Sequence, residues 1–246
     1  MKTVKDTLLE RRSIRRYERE PIPAETMDFI YEAIRNTPTS YNGQQFSVID
    51  VTDQEVKEKI YELTQQKQAK TCAHFMLFCA DYHKIRVIAD RKDIDMPDFE
   101  HTLDGVIVVD ATLAMMSALT AAEASGLGTC CIGYARTASP EAISRLLGLP
   151  KGVFVVCGLA LGVPREHPDL KPKQPADVTI HSDRYNDEGL ADKLVDYDYT
   201  VSLFNHTREG AKTDNDWASH IVDYYRQAMS YRMLDAIRRR GFDVES

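Results

Sequence analysis

Two short segments carry the residue types best suited to chemistry. Arg11-Arg12-Ser13-Ile14-Arg15-Arg16-Tyr17 crowds four arginines and a hydroxyl into six positions, and Pro168-Asp169-Leu170-Lys171-Pro172-Lys173 places two lysines on either side of a proline. Guanidinium groups hold phosphate through paired hydrogen bonds, and Ser13 adds a donor. Pro172 limits the backbone freedom of its neighbours, so both ammonium groups can face one anion. On a chain of net charge −7, two compact cationic clusters point to small anion sites rather than a polyanion surface. A cofactor phosphate is the natural occupant. Taken alone, each segment reads more simply as solvated surface.

Other candidates are weaker. Thr39, Ser40, Tyr41 and Asn42 sit in a turn-rich stretch and can line a polar ligand or only form the turn. Gln65-Gln66-Lys67-Gln68 can bond a heterocycle edge or only end a helix. The five cysteines, Cys72, Cys79, Cys130, Cys131 and Cys157, are odd in number and lack the spacing of a disulfide framework. The vicinal pair Cys130-Cys131 is either a redox thiol pair or two small packing residues. No Cys-x-x-Cys occurs and no histidine stands at zinc-ligand spacing, so no metal site is expected. A Gly-x-Gly-x-x-Gly loop is absent, which leaves a Rossmann cofactor site without support.

The elements that must position these residues alternate along the first two thirds of the 246 residues. Helices are expected at Val4 to Glu10, Glu25 to Asn36, Asp53 to Thr64 and Ser139 to Leu147. Strands are expected at Phe46 to Val51, His74 to Ala80, Thr129 to Ala135 and Val153 to Leu161. Asp104 to Ser125 reads as a central helix whose apolar positions nearly encircle it, which predicts burial on most sides, in the core or at a subunit interface. Gly126-Leu127-Gly128 ends it. Beyond Pro164 a proline-rich loop leads to a charged, aromatic tail, helical in pieces, notably Trp217 to Met229 and Tyr231 to Arg240. The pattern is α+β.

Charged residues make up 28% and hydrophobic ones 43%, the balance of a globular domain. Net acidity argues against nucleic-acid binding. Val106 to Ala122 is interrupted by polar residues and Val153 to Val163 is too short to span a bilayer, so no membrane segment is expected. Met1 to Tyr17 has no apolar core of a secretory signal, and a cytoplasmic location is expected.

Read together, the signals resemble the FMN-dependent nitroreductase family, in particular its NADPH:flavin oxidoreductase and oxygen-insensitive nitroreductase subgroup. The resemblance rests on Arg12-Ser13-Ile14-Arg15 with Pro21-Ile22, Gln44, Phe78-Cys79-Ala80-Asp81, Ala121-Ala122-Glu123 with Gly126-Leu127-Gly128, Ile132-Gly133, Leu149-Pro150, Gly158-Leu159 and Pro168-Asp169-Leu170-Lys171-Pro172. It implies a nitroreductase-like fold: a central, mostly antiparallel sheet flanked by helices, with a C-terminal helical extension embracing a dimer partner. Residues 1–246 would form one FMN-binding domain, with its core over about 1–165 and the extension over about 166–246.

The resemblance also implies roles. Arg11, Arg12 and Ser13 would meet the FMN phosphate and ribityl chain, with Lys171 and Lys173 closing on the phosphate. Arg15 and Gln66 would face the pyrimidine edge, where a cation tunes the cofactor's electron affinity. Thr39, Ser40 and Tyr41 would border the ring and its open face. Cys131, Ile132, Gly133 and Tyr134 would form the wall behind it, with the Gly133 amide near the hydride-accepting nitrogen. Ser40, Tyr41 and Arg208 would meet substrate, Arg208 by recognising the extra phosphate of NADPH. Cys131 stands in place of an aromatic residue, Tyr134 of a glycine and Arg11 of a histidine. The implied protein is a cytoplasmic homodimer that passes electrons from NADPH or NADH through FMN to nitroaromatics, quinones or flavins by ping-pong exchange. The alternatives are a flavin reductase supplying reduced FMN to another enzyme, a thiol redox sensor built on Cys130 and Cys131, and a polyanion binder.

Overall fold

The computed structural model describes residues 1–96, 105–209, 212–228, 231 and 233–241. In chain order the elements are α1 (Val4–Glu10), α2 (Ala24–Arg35), β1 (Phe46–Val51), α3 (Gln54–Thr64), α4 (Lys67–Thr71), β2 (His74–Asp81), α5 (His83–Arg91), α6 (Gly105–Ala124), β3 (Gly128–Ile132), α7 (Tyr134–Thr137), α8 (Pro140–Leu146), β4 (Val153–Gly162), α9 (Ala176–Thr179), α10 (Leu190–Thr207), α11 (Trp217–Ala228) and α12 (Met233–Arg239). Residues 1–167 and 232–246 form one compact unit, and residues 168–231 form a second.

The first unit is built on a four-stranded sheet of order β1-β2-β4-β3, with every pairing antiparallel. Alternation along β2 sends Phe75, Leu77 and Cys79 to one face and Met76 and Phe78 to the other. The first face packs against α3, α7 and α8 through Ile60, Ala135 and Ile143. The second packs against α2 and α6 through Ile30, Ile34, Ala114, Ala118 and Ala122. A register shift between Phe78 and Cys79 makes β4 change parity. Val153 and Val155 face the first layer, whereas Leu159 and Leu161, also odd-numbered, face the second.

Local chemistry accounts for the element ends. The Thr3 side chain caps α1 by accepting from the Asp6 amide, and Asp53 caps α3 by accepting from Val56. Gln65 ends α3 in the left-handed region at φ 57. Gly126, at φ +84, turns the chain out of α6 toward β3. The small face of α6, Ala111, Ala114, Ala118 and Ala122, is fully buried and lets the helix lie close to the sheet.

Three expectations need correction. The strand expected through Ala135 stops at Ile132, because Gly133 adopts helical angles and opens α7. Burial of α6 on most sides is not found: Val109, Leu113 and Met116 form an exposed stripe. Between Asp81 and Asp104, where no element was expected, α5 forms with Val87 and Ile88 about half exposed.

Helix α12 closes the first unit. Ala236 and Ile237 are buried, and the Arg240 guanidinium donates to the carbonyls of Leu149, Pro150 and Val153, while the Gly152 amide donates to the Arg240 carbonyl. Hydrogen bonds from a charged donor are worth about 1.5–3 kcal/mol. Arg240→Ala should therefore lower the thermal midpoint by roughly 4–10 °C in a circular-dichroism melt. A midpoint within about 1 °C of the parent would leave this clamp without weight.

In the second unit, the Tyr197 and Trp217 rings meet edge-on at 5.4 Å, and the Ala218 amide donates to Asp198 at 2.7 Å. The Tyr197 hydroxyl donates to the Pro172 carbonyl at 3.3 Å, which ties the Lys171-Pro172-Lys173 segment to α10. A Lys193–Asp177 ion pair at 2.8 Å joins α10 to α9.

Candidate active site

The arginine segment runs beside the sheet edge. Ser13 bridges Thr129 in parallel, and the Ile14 amide donates to the Thr129 carbonyl at 2.8 Å. Ile14 is buried against Gly128, where an added Cβ would stand 2.8–2.9 Å from the Cβ, Cγ1 and Cγ2 of Ile14, closer than real contacts allow. The Tyr17 hydroxyl donates to the Ile14 carbonyl at 2.7 Å, and burial raises its pKa further. Glu166 accepts from the Arg15 amide at 2.6 Å and the Arg16 amide at 3.2 Å. The backbone is thus fixed at Ser13, Ile14, Arg15 and Arg16, so the arginine side chains project from a rigid strip.

This strip lies against the end of β3. Arg11 acts electrostatically on Glu123, Cys130 and Cys131, and Arg15 acts on Cys130. Glu123 accepts from the Thr129 hydroxyl at 2.6 Å. Burial raises the Glu123 pKa, with the Thr129 bond, Arg11 and Lys2 opposing that rise. Arg11 Nε is buried with no partner among the described residues. A buried, unpaired guanidinium nitrogen is costly unless an anion reaches it. Beyond β3, Gly133 is exposed, and an added Cβ there would meet nothing within 4 Å. An orphaned arginine donor, a nearby hydroxyl and open space at Gly133 fit a phosphate-bearing planar cofactor such as FMN.

Arg11, Arg12, Ser13 and Arg15 thus share one strip, with Arg11 in electrostatic reach of Cys130 and Cys131 and Arg15 of Cys130, while Gly133 follows the buried Ile132 at the far end of β3. Tyr134 starts α7 directly after it. Gln66 caps α4, with its amide 3.3 Å from the Thr64 hydroxyl. Thr39, Ser40 and Tyr41 form a separate group. Their 3-10 turn, Ser40–Asn42, leads into β1, the edge strand opposite β3. The Ser40 amide donates to Asp110 of α6 at 3.3 Å, and Thr37 bonds Ser117 at 2.8 Å. Tyr41 stands at φ 52 with its ring fully exposed. Strain of this kind in a bulky residue is held only where surroundings impose it.

Lys171, Lys173 and Arg208 belong to the second unit. Both lysines are exposed, and Arg208 caps α10 with its Nε buried and without a partner among the described residues. Glu123 and Asp110 were missed by reading the sequence for cations. A carboxylate inside an otherwise small and apolar helix was the available signal.

The cysteines give no activated thiol. Cys130 is buried and Cys131 exposed, on opposite faces of β3. Burial pushes Cys72 and Cys79 up to about 12 and Cys157 to about 11, and raises Cys130 and Cys131 as well. Because the thiolate is the reactive form, a raised pKa means slow reaction at neutral pH that quickens as pH rises. Native protein at pH 7 should take up iodoacetamide slowly, at Cys131 first, with the rate climbing steadily above pH 9. Rapid labelling of Cys130 and Cys131 at pH 7, mapped by peptide mass, would restore the thiol-sensor reading.

Among the described residues no group of three or more metal-ligating side chains occurs, and no helix is long and apolar enough to cross a membrane.

Comparison with known proteins accords with this geometry. The nitroreductase family model matches residues 8–163, and the model of the family's C-terminal domain matches residues 171–245. The chain is 36% identical over 250 residues to an FMN reductase (NAD(P)H) of Bacillus subtilis, covering 100% of both. It is 37% identical over 220 residues to an oxygen-insensitive NADPH nitroreductase of Salmonella typhimurium, covering 88% of each. Its structure matches that of the hypothetical oxidoreductase YcnD from Bacillus subtilis with a TM-score of 0.94 at 35% identity, covering 100% of each chain. A cationic strip clamped to the sheet edge, a fold shared over its whole length and these matched spans lead to one conclusion: the chain belongs to the nitroreductase family.

Proposed function

We propose that this enzyme reduces planar acceptors such as nitroaromatics, quinones or free flavin, at a site completed by a second copy of the chain in the cytoplasm. It is an FMN-dependent NAD(P)H oxidoreductase, as its relatives are. The chemistry FMN supplies when bound is two-electron exchange: NAD(P)H gives a hydride and leaves, and an acceptor then takes the electrons. The protein's part is to bind, orient and shape the field. Arg11, Arg12 and Ser13 hold the phosphate. Lys171 and Lys173 are assigned to the same phosphate on the sequence resemblance. Arg15 and Gln66 hold the pyrimidine edge, and Cys131, Ile132, Gly133 and Tyr134 back the ring. Arg208, with an unsatisfied buried nitrogen, suits the extra phosphate of NADPH. The observation that carries this reading is the arginine strip locked to Thr129, with the Arg11 Nε buried and without a partner among the described residues.

The topology supports a shared site. Thr39, Ser40 and Tyr41 enter β1 while Gly133 leaves β3, at opposite edges of the sheet, about 14 Å apart over three strand spacings. A separation of this size suits a ring bordered by residues from two copies. The exposed α6 stripe of Val109, Leu113 and Met116 offers an apolar face for that second copy. Leu113→Glu with Met116→Glu should convert a dimer to a monomer in analytical ultracentrifugation and release FMN with it. A variant that remains a dimer would move the interface elsewhere.

The experiment that tests the function is the visible spectrum of the purified protein before and after NADPH under anaerobic conditions. A yellow protein that bleaches supports it. A colourless protein that takes up no added FMN overturns it. The relative named FMN reductase favours flavin itself as one acceptor, and steady-state turnover of FMN against nitrofurazone ranks the two.

A further inference from the structure

A cavity lined by residues 15–22 of the arginine strip and by residues 70–74 leading into β2 lies within the first unit. It encloses about 1010 Å³, ample for a nucleotide. Its wall carries six cations: Arg15, Arg16, Arg19, Lys67, Lys70 and Arg165. Three carboxylates, Glu18, Glu20 and Glu58, oppose them, so the cavity is net positive on a net negative chain. Some cations are engaged: Arg16 pairs with Glu166 at 3.7 Å, and Lys70 sits 3.7 Å over the Tyr61 ring. Arg19, Lys67 and Arg165 have no side-chain partner among the described residues.

The same wall presents an oriented imidazole. Asp50 Oδ2 accepts from the Tyr31 hydroxyl at 2.6 Å and meets His74 Nδ1 at 2.7 Å. Both His74 and Asp50 are mostly buried, with side-chain exposures of 17% and 16%. A carboxylate at Nδ1 requires the proton there, which leaves Nε2 as an acceptor in the neutral ring. Nε2 has no partner among the described residues, and the ring lines the cavity. Pro21 and Ile22 add an apolar surface.

We propose that this cavity binds the adenosine diphosphate portion of a nucleotide. Lys67, Arg165 and Arg19 would meet the diphosphate, since several cations suit a group carrying more than one negative charge. His74 Nε2 would accept from a ribose hydroxyl, and Pro21 with Ile22 would cover one face of the base. A bare phosphate would use the cations and leave His74 idle. The ligand is a nucleotide other than the donor, whose extra phosphate is assigned to Arg208.

The test is isothermal titration of the FMN-loaded protein with ADP and, separately, with inorganic pyrophosphate. Lys67→Ala with Arg165→Ala should weaken both ligands at least about tenfold. His74→Asn should weaken ADP severalfold and leave pyrophosphate unchanged. Flavin absorbance and the thermal midpoint, read on each variant, separate loss of this site from loss of fold or of FMN. Repeating the ADP titration with saturating NADP+ separates this cavity from the donor's site: undisturbed binding supports the proposal, and displacement overturns it. The proposal is overturned if the parent protein binds no ADP. It is also overturned if folded, FMN-loaded variants bind ADP as the parent does, or if His74→Asn weakens both ligands equally. Absence of FMN with ADP binding intact would instead count against the flavin assignment alone.

Discussion

Replacing Arg11 and Arg12 together by alanine should weaken FMN binding by about a hundredfold or more and leave riboflavin binding within a few-fold. A charge-assisted hydrogen bond is worth about 1.5–3 kcal/mol, and two of them span roughly two to four decades in affinity. Riboflavin lacks the phosphate, so it never made those contacts. Arg11 also carries a second load. Its charge opposes the rise that burial imposes on Glu123. A carboxyl whose folded pKa is raised binds its proton more tightly in the folded protein than in the unfolded chain. Stability is therefore complete below the ordinary carboxyl range and falls as pH rises through the folded value. Removing Arg11 lifts that value further and deepens the loss at pH 7. The variant should accordingly regain stability relative to the parent as pH drops from 7 toward 5. Flavin fluorescence titration of the apoprotein reads the first effect, and urea melts at the two pH values read the second. Equal losses for FMN and riboflavin would take both arginines off the phosphate.

How far the sequence disclosed this arrangement depends on what kind of signal each part left. Strand β1 was legible to the residue, because Phe46 to Val51 is a β-rich run bounded by turn residues and by the Asp53 cap. Helices α3 and α8 announced themselves through Asp53 and the Ser139-Pro140 pair. The end of β3 was not legible. The strand reading ran through Ala135, but Ala135 is fully buried in the core from the helical turn of α7, and Arg136 of the same turn donates to the Val156 carbonyl at 2.6 Å. Helix α5 leaves its apolar Val87 and Ile88 about half exposed, with Ala89 buried. The exposed α6 stripe was hidden because a helix apolar all round does not say which face a second chain would cover. Among site residues, the cations were visible as a cluster. Glu123, their counter-charge, lies more than a hundred positions away, and only the fold brings it to Arg11.

Gly128→Ala tests whether the rigid strip, rather than its charges alone, holds the cofactor. The new methyl would stand 2.8 Å from Ile14 Cβ, 2.8 Å from Cγ1 and 2.9 Å from Cγ2. Rotation of Ile14 cannot relieve a clash that includes its Cβ, so the backbone must move. That backbone is pinned by the Ile14 amide to Thr129 and by Glu166 at Arg15 and Arg16, and it carries Ser13 and Arg15 on either side. Overpacking of a buried contact costs about 1–3 kcal/mol, so the melt should shift down by roughly 2–10 °C. FMN and riboflavin should now both weaken, by about tenfold or more, because Arg15 and Gly133 address the ring system and not the phosphate. This parity separates the variant from the arginine pair. Ile14→Ala supplies the decisive comparison. It removes Cγ1 and Cγ2 and leaves a cavity, and on its own it should destabilise. Combined with Gly128→Ala it should give back part of both losses, because the two residues compete for one space. Such coupling is the mark of direct contact. Losses that simply add, in stability and in flavin affinity alike, would mean that Ile14 does not transmit the strain and that the strip is held by its charges.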